Sequence, residues 1–185
     1  MSRQSGFTLI EAMVTVSLAA IVLGIGIPSF QSLVTRSRIS SETVELIALL
    51  NSARQTAIVQ RQRVTLCPGA HTTACDDNWQ DGARIFADHN GNGRQDEGET
   101  TLSVTEGRPG ISTRWSAALN RHYVQYEPTG YTASTNGTFR ICPLNGDVRQ
   151  ARAIIVNRLG RPRVSTDTNG DGIHENAQGQ ALTCP

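Results

Sequence analysis

From Ala12 to Thr35 the chain carries no charged residue. A run of this length and apolarity is enough for a helix to cross a bilayer, which takes about 20 residues. Arg3 precedes it, so the short leader is expected to stay cytoplasmic and the rest to lie outside. An ordinary secretory signal places its apolar core ahead of a small-residue cleavage site. Here the candidate cut lies before the apolar core, after Gly6. Glu11 sits near the start of the span, where a carboxylate is costly and needs a partner or a task. It is either solvated by headgroups or paired with another subunit.

The helical pattern continues beyond the apolar run. Pro28 is expected to kink or loosen the helix. After it, Ile39, Leu46, Leu50, Ala53 and Ala57 fall on one narrow stripe at 100° per residue, with Ser41, Glu45, Ser52 and Gln55 on the other side. The spacing predicts one helix from near Phe7 to near Gln60, apolar all round in its first half and packed by one stripe in its second. Past Arg63 the period changes. Short runs rich in Val, Ile, Thr and aromatics (64–67, 83–87, 101–105, 111–115, 122–126, 138–142 and 153–157) are punctuated by Gly, Pro, Asn and Asp. They predict an antiparallel β domain laid against the helix, with a turn at Asn136-Gly137-Thr138.

Four cysteines, Cys67, Cys75, Cys142 and Cys184, allow three disulfide pairings in an oxidising compartment. Cys67–Cys75 closes a short loop containing Pro68 and Gly69 and is favoured together with Cys142–Cys184. No CxxC pair is present, which argues against zinc. No nucleophile motif, P-loop, dinucleotide fingerprint or zincin helix occurs, and His71, His89, His122 and His174 are isolated, so no enzyme is expected. No cofactor is required.

All 17 basic residues are Arg, and charge is segregated along the β domain. Residues 76–106 hold eight acids against Arg84 and Arg94; residues 140–163 hold six arginines against Asp147. Within the basic block, Asn157-Arg158-Leu159-Gly160-Arg161-Pro162-Arg163 stands out. Gly160 permits a turn and Pro162 restricts the backbone between two arginines. In an extended segment Arg161 and Arg163 project to one side, as a phosphate clamp requires. The bland alternative is a hairpin turn with solvated arginines. Arg158, Arg149 and Arg152 join the basic block on sequence proximity, and no aromatic interleaves them, so a nucleic-acid contact here would be to backbone and not to stacked bases.

Two loops suit calcium. Asp88, Asn90, Asn92, Asp96 and Glu99 occupy positions 1, 3, 5, 9 and 12 of a twelve-residue oxygen-ligand loop. Asp167, Asn169, Asp171 and Glu175 repeat its first half, but position 12 is Gln178, so the bidentate acid is missing. The alternative for both is an Asx-rich turn between strands.

Gly6-Phe7-Thr8-Leu9-Ile10-Glu11 resembles the processing signal of type IV pilins and type II secretion pseudopilins. The resemblance implies cleavage by a prepilin peptidase between Gly6 and Phe7, methylation of Phe7, and a role for Glu11 in neutralising a neighbouring subunit's terminal amine during assembly. Val64-Thr-Leu-Cys-Pro68 and Phe86-Ala-Asp-His-Asn-Gly-Asn-Gly93 resemble the GspH/FimT branch of that family. Gly160-Arg161-Pro162-Arg163 resembles the Gly-Arg-x-Arg motif of FimT-type minor pilins, which implies binding of duplex DNA for natural transformation. The fold implied is α+β and type IV pilin-like. It comprises a leader (1–6), a transmembrane half-helix (7–35), an amphipathic half-helix (36–61) and a β-rich globular domain (62–185). Expected partners are other pilin or pseudopilin subunits, the peptidase, the inner membrane before assembly and DNA. The expected location is the bacterial inner membrane with the globular domain in the periplasm, then the pilus or pseudopilus. The rival reading is a structural tip or priming pseudopilin of a type II secretion system, whose basic block meets another subunit's acidic face. A calcium-stabilised adhesive tip is a third.

Overall fold

The computed structural model describes residues 6, 8–72, 74–117, 121–132 and 134–184. Phe7 and most of the leader therefore lie outside the described residues. One helix, α1 (Leu9–Gln60), opens the chain. Its start is set by a reciprocal cap. The Thr8 N–H and hydroxyl approach the Glu11 carboxylate at 3.4 Å, and the Glu11 N–H donates to the Thr8 hydroxyl at 3.3 Å. Thr8-x-x-Glu11 is a capping box, which satisfies donors that a helix end otherwise leaves orphaned. Helical assignment runs through Pro28 without a break, and Ser29 donates its hydroxyl to the Ile25 carbonyl at 3.0 Å. The helix ends at Arg61, whose positive φ of 51° is the left-handed residue that terminates it.

The chain divides into two compact units, residues 1–37 and 38–185. In the first, the apolar side chains from Leu9 to Leu33 are exposed. This helix is long and apolar enough to cross a membrane. In the second, the helix buries Ile39, Thr43, Leu46, Leu50, Ala53 and Ala57, the expected stripe plus one threonine. Thr43 is tolerated there because its hydroxyl donates to the Ile39 carbonyl at 2.7 Å, so no polar atom is left bare.

Among the described residues eight strands follow: β1 (Val64–Pro68), β2 (Ala83–Ala87), β3 (Thr101–Thr105), β4 (Ile111–Ala117), β5 (Val124–Tyr126), β6 (Gly137–Pro143), β7 (Arg152–Val156) and β8 (Pro162–Val164). They form two antiparallel four-stranded sheets, ordered β3-β2-β1-β5 and β4-β6-β7-β8. Leu66, Ile85 and Val124 from the first sheet share one core with Phe139, Ile141 and Ile154 from the second and with the helix stripe. Trp79 and Trp115 pack on Phe139 with ring centroids 4.7 and 4.3 Å away.

Two expectations are corrected. Gly137 is not in a turn but begins β6, paired with Ala117 and Val156. A Cβ there would lie 2.3 Å from the Ser116 carbonyl, so the glycine serves close strand approach rather than a turn. β8 is a strand that no apolar alternation announced; it is three residues long, at a sheet edge, where proline is tolerated. Both favoured disulfides form, Cys67–Cys75 and Cys142–Cys184, with Cα–Cα distances of 5.2 and 5.8 Å. The second holds the C-terminal tail on the outer side of the second sheet, where Leu182 packs with Cys142, Ala151 and Ala153.

Glu45, expected on the solvent side, is half-buried and accepts from Arg108, whose Nε lies 2.9 Å away. Arg108 also lies 3.6 Å from Glu42, so the β3–β4 connection is tied to the helix. Burial raises the Glu42 carboxyl above its ordinary 4.5, and Glu45 adds to the rise against Arg108 and Thr113. A raised folded-state pKa means the ionised carboxylate opposes folding above that pKa, and the penalty disappears as pH falls through it. Glu42→Gln is therefore expected to stabilise the chain relative to wild type at pH 7. The difference should shrink as pH is lowered towards the ordinary glutamate range. Urea midpoints of both proteins across pH measure it, and a difference that grows on acidification contradicts the assignment.

Candidate nucleic-acid interface

The Arg158–Arg163 segment is the β7–β8 hairpin. Its tip is closed by the Gly160 N–H to the Asn157 carbonyl (2.9 Å) and by the Arg161 N–H to the Asn157 side chain (3.1 Å). It is braced from outside: the Thr132 N–H donates to the Arg158 carbonyl at 3.1 Å, and Arg54 Nε donates to the Gly130 carbonyl at 3.0 Å. Gly160 has φ 75°, and a Cβ on it would lie 2.1 Å from the Gly130 carbonyl oxygen. The motif glycine is thus required by both backbone conformation and a close approach. Arg158, Arg161 and Arg163 are exposed, and their guanidiniums have no hydrogen-bond or ion-pair partner among the described residues.

Sheet pairing extends this basic surface. Arg163 is opposite Ile155, and Arg140 is opposite both Ala153 and Arg114. Cross-strand partners share a face and alternate residues along a strand share a face. Arg114, Arg140 and Arg163 therefore lie on one face of the second sheet, beside the C-terminal tail. Arg140 donates to the Thr183 hydroxyl at 3.2 Å. Two open grooves run between this face and the tail. One, of about 380 Å³, is lined by Arg114, Arg140, Asn176 and Thr183 among others. The other, of about 640 Å³, is lined by Arg158, Arg163 and Gln178 among others. They share Ser116 and Thr138, and no carboxylate among the described residues lines either.

Arg149 and Arg152 are not part of this arrangement. Arg152 opens β7, at the far end from the hairpin tip, and alternation turns it away from Arg163. Its guanidinium donates to the Ala151 carbonyl at 2.7 Å. Arg149 lies in the loop before it. Proximity in sequence misplaced both because β7 separates them from the tip. Arg114, in turn, carried no sequence signal; only the β4–β6 pairing brings it beside Arg140.

The two acidic loops differ. In the first, Asp88 is fully buried and its carboxylate accepts from Thr65 (2.7 Å), Gln125 (2.7 Å) and the N–H groups of Gly91, Asn92 and Gly93 (2.7, 3.1 and 2.9 Å). Asp96 accepts from the amides of Asn90 and Asn92, which hold its carboxyl below the ordinary aspartate value. Glu99 accepts from the N–H groups of His89 and Asp96. Of the calcium expectation for Asp88, Asn90, Asn92, Asp96 and Glu99, position 1 is the exception in geometry: Asp88 is fully buried, and its two oxygens accept five hydrogen bonds from within the domain. In the second loop, oxygens of Asp167, Asp171 and Glu175 lie within 4.8 Å of one another. Backbone N–H groups of Gly172 and Gly170 hold the Asp167 carboxyl below its ordinary value.

Residues 42–160 match the family described as Type II transport protein GspH, and residues 1–27 match the Prokaryotic N-terminal methylation motif. A fimbrial protein of Pseudomonas aeruginosa is 34% identical over 64 residues, 35% of this chain and 41% of the relative, so the chain spans less than half the length of that curated protein. Two crystal forms of the type IV minor pilin FimU of Pseudomonas aeruginosa are similar in fold, with TM-scores of 0.55 and 0.54 at 21% identity. They cover 71% and 69% of this chain and 90% and 92% of theirs. With its N-terminal methylation motif and a match over residues 42–160, the chain belongs to the family described as Type II transport protein GspH.

Proposed function

We propose that this chain is a minor pilin that binds duplex DNA for uptake, through phosphate contacts from Arg161 and Arg163 with Arg158 beside them. The observation that carries the reading is a braced hairpin presenting three unpaired guanidiniums, continuous with grooves that hold Arg114 and Arg140 and no carboxylate among the described residues. Guanidinium pairs suit phosphate, and backbone contact without base readout gives little sequence preference. In this reading a prepilin peptidase cuts between Gly6 and Phe7. The apolar half of α1 holds the subunit in the inner membrane with its β domain in the periplasm. Glu11 leaves its own cap to meet a neighbour's terminal amine as the fibre assembles. No cofactor takes part in the DNA contact.

The test is fluorescence anisotropy of labelled duplex DNA against the full-length chain in detergent micelles, across a salt series. Three phosphate contacts predict a log–log salt slope of about −3, at roughly −0.9 per contact. Arg161→Gln/Arg163→Gln should flatten the slope by about 2 and weaken binding to every duplex alike. Circular dichroism confirms that both proteins are folded. Folded wild type that binds no DNA at low salt would sink the reading. It would favour the alternative, a pseudopilin of a type II secretion system whose basic face meets another subunit, which the match to the GspH family supports.

A further inference from the structure

We propose that loop 167–175 is a calcium site, formed by Asp167, Asn169, Asp171 and Glu175 with the Ile173 carbonyl, that fastens the C-terminal tail to the second sheet. The sequence lacks the acid at position 12 that completes a loop of this kind. The structure supplies another. Glu175 is only 5% exposed, and an oxygen of its carboxylate lies within 4.8 Å of oxygens from Asp167 and Asp171. One Glu175 oxygen accepts the Thr168 N–H at 2.9 Å; the other is buried with no hydrogen-bond partner among the described residues. A buried carboxylate oxygen without a donor is rare and costly, and an ion is one of the few things that satisfies it.

The rest of the loop is already shaped for a cation. Asp167 accepts from the N–H groups of Gly170 and Gly172 at 2.7 and 2.8 Å, and Asp171 from that of Ile173 at 2.7 Å. Each carboxylate oxygen has a second lone pair, so these bonds orient the acids without exhausting them. Gly170 and Gly172 adopt positive φ of 80° and 85°, the backbone conformation that lets their N–H groups turn in towards Asp167. Three carboxylates this close repel one another, and a divalent ion removes the repulsion. The donors are all oxygen, and His174 is turned towards the Ser165 carbonyl, 2.6 Å away, so the set suits a hard ion and not zinc. Oxygens from three carboxylates, an amide and a backbone carbonyl suit calcium better than magnesium, which demands strict octahedral geometry and keeps several waters.

The mechanical consequence follows from where Glu175 sits. Its N–H donates to the Thr166 carbonyl at 3.0 Å, and it forms an antiparallel bridge with Ala181. A cation on its side chain therefore fixes both arms of the tail between β8 and Cys184. This inference does not depend on DNA binding.

Isothermal titration of CaCl2 into the full-length chain in detergent micelles, after chelator treatment, tests it, with a thermal melt alongside. The expected result is one ion per chain with an affinity of roughly 0.1–1 mM, typical of extracellular modules, and a higher melting temperature with calcium. Glu175→Gln and Asp171→Asn should each weaken binding by about tenfold or more, while Glu99→Gln in the first loop leaves it unchanged. Asp171 is exposed, so its variant stays informative even if Glu175→Gln does not fold. The proposal is overturned if wild type shows no heat up to about 10 mM calcium, well above the weakest class of such sites. It is equally overturned if Asp171→Asn binds like wild type, if only Glu99→Gln loses binding, or if magnesium binds as tightly.

Discussion

Asp88→Ala should destabilise the β domain by roughly 3–5 kcal/mol, because each buried donor left without an acceptor costs about 1–3 kcal/mol. Five donors converge on this carboxylate, from β1, β5 and the loop after β2. Thr65 Oγ1 also accepts from Gln125 at 3.1 Å, so a small polar network is built around one charge at the end of the first sheet. Removing the charge strands the Gln125 amide and the backbone of the β2–β3 loop together. Such a loss is a large share of the 5–15 kcal/mol that holds an ordinary domain folded. Urea denaturation monitored by Trp79 and Trp115 fluorescence measures it. The loss should be the same with and without calcium. A wild-type-like midpoint, or a loss seen only in calcium, would show that Asp88 is not the structural acceptor described here.

Replacing Cys142 and Cys184 together by alanine should cost about 4 kcal/mol on the loop-entropy account, since the bridge closes a separation of 42 residues. The Cys67–Cys75 pair, separated by 8, should cost only about 2.5 kcal/mol on the same account. The two bridges also differ in what they hold. Cys67 lies in β1, deep in the first sheet, whereas Cys184 tethers a tail whose packing rests on Leu182, Ile173 and a few small residues of the second sheet. Loss of the longer bridge should therefore free the tail and expose the Ala151–Ala153 face. Urea midpoints of the two double variants decide the order. Proteolysis at residues 165–183 in the Cys142/Cys184 variant alone would show the tail released.

Much of this was legible in the chain because local patterns carried it. The helix and its buried stripe follow from the 3.6-residue period, and β2 and β3 occupy the expected residues. The pairing of the four cysteines follows the short spacing of two of them. The cap at Thr8 is also legible, as a threonine three residues ahead of Glu11. β8 was not readable: three residues at an edge, one of them proline, leave no periodic trace.

The basic surface and the metal loop divide along the same line. The residues of the β7–β8 tip are contiguous, so Gly160, Arg161 and Arg163 could be picked out from the string alone. Arg114 could not, because it joins Arg140 only through a strand pairing that spans 26 residues; Arg152 drops out because β7 turns it to the other face, and Arg149 because it lies in the loop before that strand. The two Asx-rich loops look nearly alike as strings, and the first is the better match to a calcium loop. What separates them is burial. Asp88 is drawn inward by Thr65 and Gln125, from strands distant in sequence, while Glu175 is buried against its own loop with one oxygen unpaired. The sequence by itself determined the helix, the strand-rich domain and the family, because each rests on periodicity or contiguous motif. Only the tertiary structure decided which arginines share a face and which acids face one another, because those depend on pairings between residues far apart along the chain.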